Sequence, residues 1–180
     1  MSKFLGTIID GELSNESTGE GLTPYNGAFG VVVNEGDVAL IYSLTDLHHE
    51  LPGGRSDGNE NVEETFRREI MEEVGCELKN IQEVAHFIEI RTKDGFETSS
   101  HFMIAEAAGN WRKPVHTKNE VKRGISLEWV DLKELVSTIT LENPQTVNGK
   151  IKHQRDTLSL DELFSREDIL KTYFGLGAIA

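Results

Sequence analysis

The segment from residue 54 to residue 76 constrains the fold more than any other part of this 180-residue chain. In its second half an apolar residue recurs at every fourth position: Val62, Phe66, Ile70 and Val74. Apolar residues at this interval fall on one side of an α-helix, so the pattern predicts an amphipathic helix over Val62–Val74. Gly75 predicts the end of that helix, because glycine readily adopts the left-handed conformation that closes many helices.

Three glutamates lie on another side of the same predicted helix. Glu69, Glu72 and Glu73 are spaced i, i+3 and i+4, so their carboxylates project together, away from the apolar side. Their mutual repulsion must be offset, and the candidates are Arg68 and bound Mg²⁺ or Mn²⁺, which prefer oxygen ligands. The loop Gly53–Asn59 can bring backbone carbonyls to the same place. For a glutamate-rich helix in general, a solvated acidic face is the commoner alternative.

The spacing of the fixed residues favours the metal site over the solvated face. With U for a bulky apolar residue, the segment fits the pattern G-x5-E-x7-R-E-U-x-E-E-x-G-U at all seven fixed letters. A chain of this composition would produce such a match by chance roughly once in 10⁵ sequences. The residues at the fixed letters are Gly54, Glu60, Arg68, Glu69, Glu72, Glu73 and Gly75.

This segment resembles a complete Nudix box, the signature of hydrolases that act on nucleoside diphosphates linked to another group. Weaker similarity extends to Leu51-Pro52-Gly53-Gly54 at its entry and to Trp129-Val130-Asp131-Leu132 downstream. The resemblance implies the α/β (α+β) fold of that family, an α-β-α sandwich around a mixed β-sheet. Cys76 stands where the family usually has an aliphatic residue, and as a small apolar side chain it should pack acceptably.

The resemblance also implies a role for each polar residue of the box. The implied metal ligands are Glu69, Glu72, Glu73 and the backbone carbonyl of Gly54. Arg68 would orient the carboxylates by charge-assisted hydrogen bonds, and Glu60 would pair with Arg68 or with a metal-bound water. For Arg68 and Glu60, the alternative is an ordinary surface ion pair.

Hydrolysis of a diphosphate bond needs metal ions that neutralise phosphate oxygens and lower the pKa of a bound water, which attacks phosphorus. A base must accept the proton of that water. Glu69 and Glu73 are candidates on the helix. In the polar stretch His116–Gly124, Glu120 is the preferred candidate from a later loop, and Glu128 is the second choice. For the last two, a plain solvated glutamate is the alternative, since no spacing fixes their position.

The charge balance limits the partners of the chain. Asp and Glu number 31 against 18 Lys and Arg, so most of the surface would repel a nucleic acid polymer. A small anionic nucleotide can still bind, because divalent cations reverse the local charge. The single Cys76 excludes an intramolecular disulfide and a cysteine-rich zinc site. The N-terminal apolar patch is too short for a signal peptide or a membrane span, so we expect a cytoplasmic protein; a homodimer stays open.

Length and element order predict a single domain over residues 1–180, with helices packed on a mixed sheet. We expect residues 1–24 to form a strand and a loop arm, the loop being Gly11–Thr23, and residues 151–180 to form a C-terminal helical extension. Asp131 should cap a short helix ending at Ser137, and Ser165 with Asp168 should form a capping box for the last helix. The predicted strands are Lys3–Ile9, Ala28–Val33, Val38–Tyr42, Val84–Arg91, His101–Ala107 and Ser126–Val130.

Other polar and aromatic residues are less specific. The pair His48-His49 has no third ligand at metal spacing, so strand-end polarity is favoured over a zinc site. The run from His153 to Asp156 either packs the C-terminal segment onto the core or faces the substrate. The aromatic residues that could stack on a base, but are expected in the core, are Phe29, His86, Phe87 and Phe102. The cations that could contact phosphates, but are by default solvated, are Arg91, Lys93 and Arg123.

Two classes of function are compatible with the box. One is a metal-dependent pyrophosphohydrolase, and the other is a nucleotide-binding or regulatory module that keeps the fold without catalysis. Four clustered carboxylates are costly to hold in register, which favours the enzyme. Around Arg91 and Thr92 the chain lacks the proline and the tyrosine of some family members. Their absence favours nucleoside triphosphates, including oxidised ones, over ADP-ribose or dinucleoside polyphosphates.

Overall fold

A single mixed sheet forms the centre of the computed structural model, which describes residues 2–14 and 21–176. The strands of the described residues are β1 Lys3–Ile9, β2 Glu12–Ser14, β3 Thr23–Asn34, β4 Asp37–Ser43, β5 His48–Glu50, β6 Gly53–Arg55, β7 Glu77–Arg91, β8 Phe96–Ala108 and β9 Ile125–Asp131. The helices are α1 Val62–Glu73, α2 Lys118–Arg123, α3 Leu132–Thr140, α4 Val147–Phe164 and α5 Glu167–Phe174.

The strand order is β2-β1-β7-β8-β3-β4-β5, with β6 added beside β3 and β9 beside β4. Strand β8 lies at the centre, antiparallel to β7 and parallel to β3. Strand β3 keeps this partner along most of its length, so its other edge is free to pair first with β6 and then with β4. This double pairing brings the loop before α1 against the middle of the sheet.

Helix α1 covers one face of the sheet, as the apolar spacing predicts. Phe66, Ile70 and Val74 are fully buried there, together with Ala28 and Val32 of β3. Successive side chains of a strand point to opposite faces, so the even-numbered residues of β3 meet α1. The asparagine before the helix caps it with a capping box to Glu64. The apolar stripe therefore fixes which side of α1 is left for the glutamates.

Helices α3, α4 and α5 cover the opposite face. The odd-numbered β3 residues Phe29, Val31 and Val33 lie in this second core. The helices contribute the buried residues Leu132, Leu135, Ile139, Ile151, Leu160, Leu163 and Ile169. With helices on both faces of a mixed sheet, the predicted α-β-α sandwich is confirmed. No helix within the described residues is long and apolar enough to cross a membrane.

The predicted strands all form, whereas two local predictions are wrong. The loop Gly11–Thr23 contains strand β2, and Thr23 already begins β3; residues 15–20 of that prediction lie outside the described residues. The capping box of Ser165 with Asp168 is absent: Arg166 precedes α5 and caps it with no side-chain hydrogen bond. The Ser165 hydroxyl instead donates to the carbonyl of Glu162, ending the preceding helix.

Two helices replace segments that were predicted as polar loop or left open. The stretch His116–Gly124 contains α2, capped by Thr117 and closed by Gly124 in the left-handed conformation. Helix α4 begins at Val147, before the predicted extension, and the run His153–Asp156 lies in its middle. Its polar and apolar residues alternate without a clear stripe, because it buries charged groups as well as apolar ones.

Gly75 provides a test of the turn that follows α1. It has a φ of +84°, and a Cβ there would lie 2.1 Å from the carbonyl oxygen of Arg112. Gly95 has a φ of +72° with no heavy atom within 4 Å of such a Cβ. We expect Gly95→Ala to cost about 1–2 kcal/mol for the left-handed backbone alone, and Gly75→Ala to cost at least about 2 kcal/mol more. Urea unfolding of the two variants makes the comparison, and equal losses would contradict the proposed contact.

Candidate active site

Strand β6 places the start of the box against α1. Its pairing with β3 sets Gly54 opposite Ala28 and Gly53 opposite Phe29. A Cβ on Gly54 would lie 2.4 Å from a carboxylate oxygen of Glu69. Only glycine lets the backbone approach the helix this closely. The carbonyl-bearing backbone of Gly54 and the carboxylate of Glu69 are therefore in contact.

Arg68 links the loop to the glutamates of α1. Its guanidinium donates from Nε to Oε1 of Glu60 at 2.8 Å. From Nη1 it donates to Oε1 of Glu69 at 3.0 Å and to Oε2 of Glu72 at 3.3 Å. The hydrogen bond with Arg68 lowers the pKa of Glu60 to about 2, and the same pairing raises the pKa of Arg68. The predicted contact of Arg68 with Glu60 is thus present, and one guanidinium holds three carboxylates together.

Glu73 lies deeper than the other glutamates of the box, with only 4% of its surface exposed. Its Oε2 accepts a hydrogen bond from the backbone nitrogen of Gly53 at 2.7 Å. Burial, followed by the nearby charges of Glu50 and Glu69, raises the pKa of Glu73 to about 8. Burial also raises the pKa of Glu69, and the charges of Glu72 and Glu120 add to that rise. A bound cation would reverse these shifts by stabilising the ionised carboxylates.

The residues of the box fit a hard divalent cation in charge and in donor type. Glu69 lies beside the backbone of Gly54, where there is no room for a side chain, and Glu73 accepts a hydrogen bond from Gly53. With Glu72 on the same helix, these carboxylates could supply oxygen ligands. Among the described residues, no three acidic, histidine or cysteine side chains already converge as a ligand set. Arg68 accounts for this, since it holds Glu69 and Glu72 in hydrogen bonds of its own.

Glu50, at the end of β5, is a second buried carboxylate, close enough to Glu73 for its charge to affect the pKa of Glu73. It accepts hydrogen bonds from Nζ of Lys152 at 2.7 Å and from Nη2 of Arg123 at 2.9 Å. Burial alone would raise the pKa of Glu50, but the charges of Lys152 and Arg123 outweigh burial and lower it. Arg123 also contacts Asp46 at 3.1 Å. Glu50 therefore has two cationic partners, whereas Glu73 has none as close.

Helix α4 contributes a polar stripe to the same region. Asn148, Lys152 and Arg155 are spaced i, i+4 and i+7, so they lie along one side of the helix. Arg155 is buried, donates to Asp156 at 2.7 Å and lies 3.7 Å above the ring of Phe29. Of the two roles left open for the run from residue 153 to residue 156, Arg155 fulfils both, because it packs on the core and lines the pocket.

One pocket of about 410 Å³ joins these groups. It extends from the box, over the sheet, to the turn between β7 and β8. The polar residues that line it are Arg55, Glu69, Glu73, Glu89, Arg91, Asp94, Thr98, Ser100, Glu120, Arg123, Asn148, Lys152 and Arg155. Five of these side chains are cationic, which suits a substrate with several phosphate charges. The acidic surface of the protein thus encloses a pocket of mixed charge.

Of the two later glutamates proposed as the general base, one lines the pocket and the other does not. Glu120 lines the pocket, and as the third residue of α2 it forms a capping box with Thr117. Three residues later, Arg123 ties the same helix to Asp46 and Glu50, which holds Glu120 at the pocket edge. Glu128 is half-exposed on β9 and contacts Nε2 of His49 at 3.3 Å. It is not among the residues that line the pocket.

The other residues singled out in the sequence also differ in whether they line the pocket or support the fold. Phe29, Phe87 and Phe102 are core residues, as expected. Arg91 and Arg123 line the pocket, whereas Lys93 does not. His49 bonds to Glu142, and His48 is fully buried, which lowers its pKa, with Glu50 3.8 Å away. The neighbouring histidines thus support the fold around Glu50.

Glu50, Glu89 and Lys152 are pocket or near-pocket residues that sequence reasoning did not select. No motif marks them, because they lie on elements far apart in the chain. The usable signal was the i, i+4, i+7 spacing of polar residues in α4, which required recognising a helix that starts at Val147. Strand alternation within the predicted strand Val84–Arg91 already places Glu89 on the same face as Arg91.

Comparison with known proteins agrees with this geometry. A family model described as the NUDIX domain matches residues 24–152. The chain belongs to the Nudix family, and it is a Nudix pyrophosphohydrolase. A protein of Bacillus subtilis (strain 168), provisionally named an 8-oxo-dGTP diphosphatase, is 26% identical over 153 residues. That similarity covers 83% of this chain and 97% of the relative.

Solved Nudix structures share the fold. A NUDIX hydrolase from Nitrosomonas europaea superposes with a TM-score of 0.54 at 14% identity, covering 74% of this chain and 89% of that chain. A MutT NUDIX hydrolase from Burkholderia pseudomallei gives a TM-score of 0.52 at 23% identity, covering 74% and 98%. A MutT protein from Bacillus halodurans gives 0.53 at 22% identity, covering 74% and 82%.

The buried carboxylate of Glu73 predicts an unusual dependence of stability on pH. Its pKa is raised to about 8, so the folded state binds the proton more tightly than the unfolded state. Without divalent cations, stability should therefore fall as pH rises from about 4.5 through 8. Glu73→Gln removes this loss, and in chelator it should melt about 5 °C or more above the parent at pH 9, with little difference at pH 5. Thermal melts across this range test it; parallel curves would contradict it.

Proposed function

We propose that the enzyme hydrolyses a diphosphate bond in a nucleoside triphosphate or a modified nucleotide, with Mg²⁺ or Mn²⁺ bound by the box. Glu69, Glu72, Glu73 and the carbonyl of Gly54 would hold the metal. The observation that carries the proposal is the burial of Glu73 beside Glu50, at the end of a pocket lined with cations. A carboxylate buried in this way favours a bound cation as the partner of its ionised form, and strongly shifted groups in a pocket are typical of functional sites.

When bound, the metal would neutralise phosphate oxygens and lower the pKa of a water. The chain's own residues would then orient the substrate and accept the proton. Lys152 and Arg123 line the same pocket as Glu69 and Glu73 of the box, where they can contact phosphate oxygens. Glu120 is the preferred base, because it lines the pocket close enough for its charge to raise the pKa of Glu69. Arg68 and Glu60 would keep the carboxylates in place.

The name of the Bacillus subtilis relative supports oxidised purine nucleotides as the substrates to test first.

The residues that line the pocket support the assignment of a single domain. The family match ends at residue 152, inside α4, but Arg155 of the same helix also lines the pocket. We therefore propose that the functional domain continues through α4, as part of a single domain over residues 1–180. A cytoplasmic location stays a prediction from the sequence.

The proposal predicts activity that needs both metal and Glu73. Purified protein with Mg²⁺ or Mn²⁺ should release pyrophosphate from one or more nucleoside triphosphates in a panel that includes 8-oxo-dGTP, ADP-ribose and nucleotide sugars. A chelator should abolish the activity, and added metal should restore it. Glu73→Gln should lower kcat/KM by about a hundredfold or more, because the Glu73 carboxylate would be lost from the metal site.

Glu63→Gln is the matched control. Glu63 lies on the same helix, is half-exposed and pairs only with Arg67, so this variant should keep full activity. Activity that survives the chelator would overturn the metal dependence. A Glu73→Gln enzyme as active as the parent would overturn the ligand assignment, and silence across the whole panel would overturn the proposed reaction.

A further inference from the structure

Glu89 is a buried pocket residue with no role in the metal site. It lies on β7, paired with Thr98 of β8, and only 4% of its surface is exposed. By strand alternation it shares a face with Phe87 and Arg91. That face carries α4, on the side of the sheet opposite α1. Glu89 therefore lines the part of the pocket that lies over the sheet, away from the helix of the box.

The Glu89 carboxylate is short of hydrogen-bond donors among the described residues. Its Oε1 is buried and accepts no hydrogen bond from them. The nearest cation is Nη1 of Arg155 at 3.7 Å, which is beyond hydrogen-bond range. Arg155 directs Nε and Nη2 at Asp156, and Arg91 directs Nη1 at Asn148. Both neighbouring guanidinium groups thus donate elsewhere.

A buried acceptor without a donor is costly, so this site favours a ligand group that donates hydrogen bonds. A phosphate is disfavoured as the partner of Oε1, because its ionised oxygens are acceptors and its charge would repel the carboxylate. The matching group is neutral and carries N–H or O–H donors. In a nucleotide, that description fits the base or the ribose.

The surfaces next to Glu89 favour the base. Phe96 lies on the same face of β8, opposite Arg91 and diagonal to Glu89. The guanidinium of Arg55 lies 4.6 Å from the Phe96 ring centre, and that of Arg91 lies 5.6 Å from it. Flat aromatic and guanidinium groups are the usual stacking surfaces for a nucleobase.

Building on the proposed function, we propose that Glu89 selects the base of the nucleotide by accepting hydrogen bonds from the Watson–Crick edge of a guanine-type ring. Guanine offers the neighbouring donors N1–H and N2–H, which match the two oxygens of a carboxylate. Adenine, cytosine and thymine each place an acceptor beside their donor on that edge. 8-Oxoguanine keeps the N1–H and N2–H donors, so Glu89 recognises the guanine ring whether or not C8 is oxidised.

Binding of nucleoside monophosphates tests this directly and needs no turnover. By calorimetry, with Mg²⁺ present, the parent protein should bind GMP at least about tenfold more tightly than IMP, which lacks only the N2 amino group. AMP should bind more weakly still. In Glu89→Gln the affinity for GMP should fall about tenfold, while that for IMP and AMP changes less.

Glu97→Gln is the matched control. Oε2 of Glu97 is also buried without a partner, but Glu97 points to the other face of β8 and does not line the pocket. This variant should keep the preference for GMP over IMP. A preference retained by Glu97→Gln and lost in Glu89→Gln supports the assignment.

Three binding results would overturn it. They are equal affinity of the parent for GMP and IMP, no binding of GMP at millimolar concentration, or an equal loss of all three ligands in Glu89→Gln. If dGMP binds much more weakly than GMP while IMP equals GMP, the donors are ribose hydroxyls and the base assignment is wrong. Hydrolysis of triphosphates with no preference for guanine would overturn this inference alone, whereas selective GMP binding without any hydrolysis would overturn only the proposed reaction.

Discussion

The arrangement of the site depends on two buried carboxylates, Glu50 and Glu73, that reach the same region from different elements. Two like charges in a dry environment repel strongly unless cations offset them. Arg123 and Lys152 offset Glu50, and in doing so they tie α2 and α4 to the end of β5. From the described residues Glu73 receives only a backbone hydrogen bond, and its pKa rises to about 8. This asymmetry separates the carboxylate for which the chain supplies its own cations from the one at which, in the proposed function, a metal would bind.

The groups that line the pocket show the same separation of carboxylates from cations. Carboxylates of α1 lie at one end, and the cations of α2 and α4 lie over the sheet, where phosphates of a substrate would pass. Beyond them, Oε1 of Glu89 is a buried acceptor that receives no hydrogen bond from the described residues. Metal, phosphate and base would thus each meet a group of complementary chemistry. Because these groups come from both faces of the sheet, the short pairing of β6 with β3 is what brings the box and α4 to one pocket.

The sequence predicted what depends on local spacing. The helix of the box, its glutamates and the strands follow from periodicity, and the Arg68–Glu60 contact follows from the motif. Long-range features were not predictable in the same way. Glu50 pairs with Arg123 and Lys152, which lie 73 and 102 positions further along the chain. No local sequence pattern reveals that Glu50 is buried, because its surroundings come from three separate elements. Helix α4 was only partly predicted from the sequence. It buries the charged residues Arg155 and Asp156, so its sequence pattern lacks the apolar stripe of α1.

The central claim is that a divalent cation binds where Glu73 carries a proton in the metal-free protein. Calorimetric titration with Mn²⁺ at pH 7, in buffers of different ionisation enthalpy, counts the protons released on binding. The account predicts release of about one proton by the parent protein and essentially none by Glu73→Gln. Tight Mn²⁺ binding without proton release, or with the same release in both proteins, would contradict it.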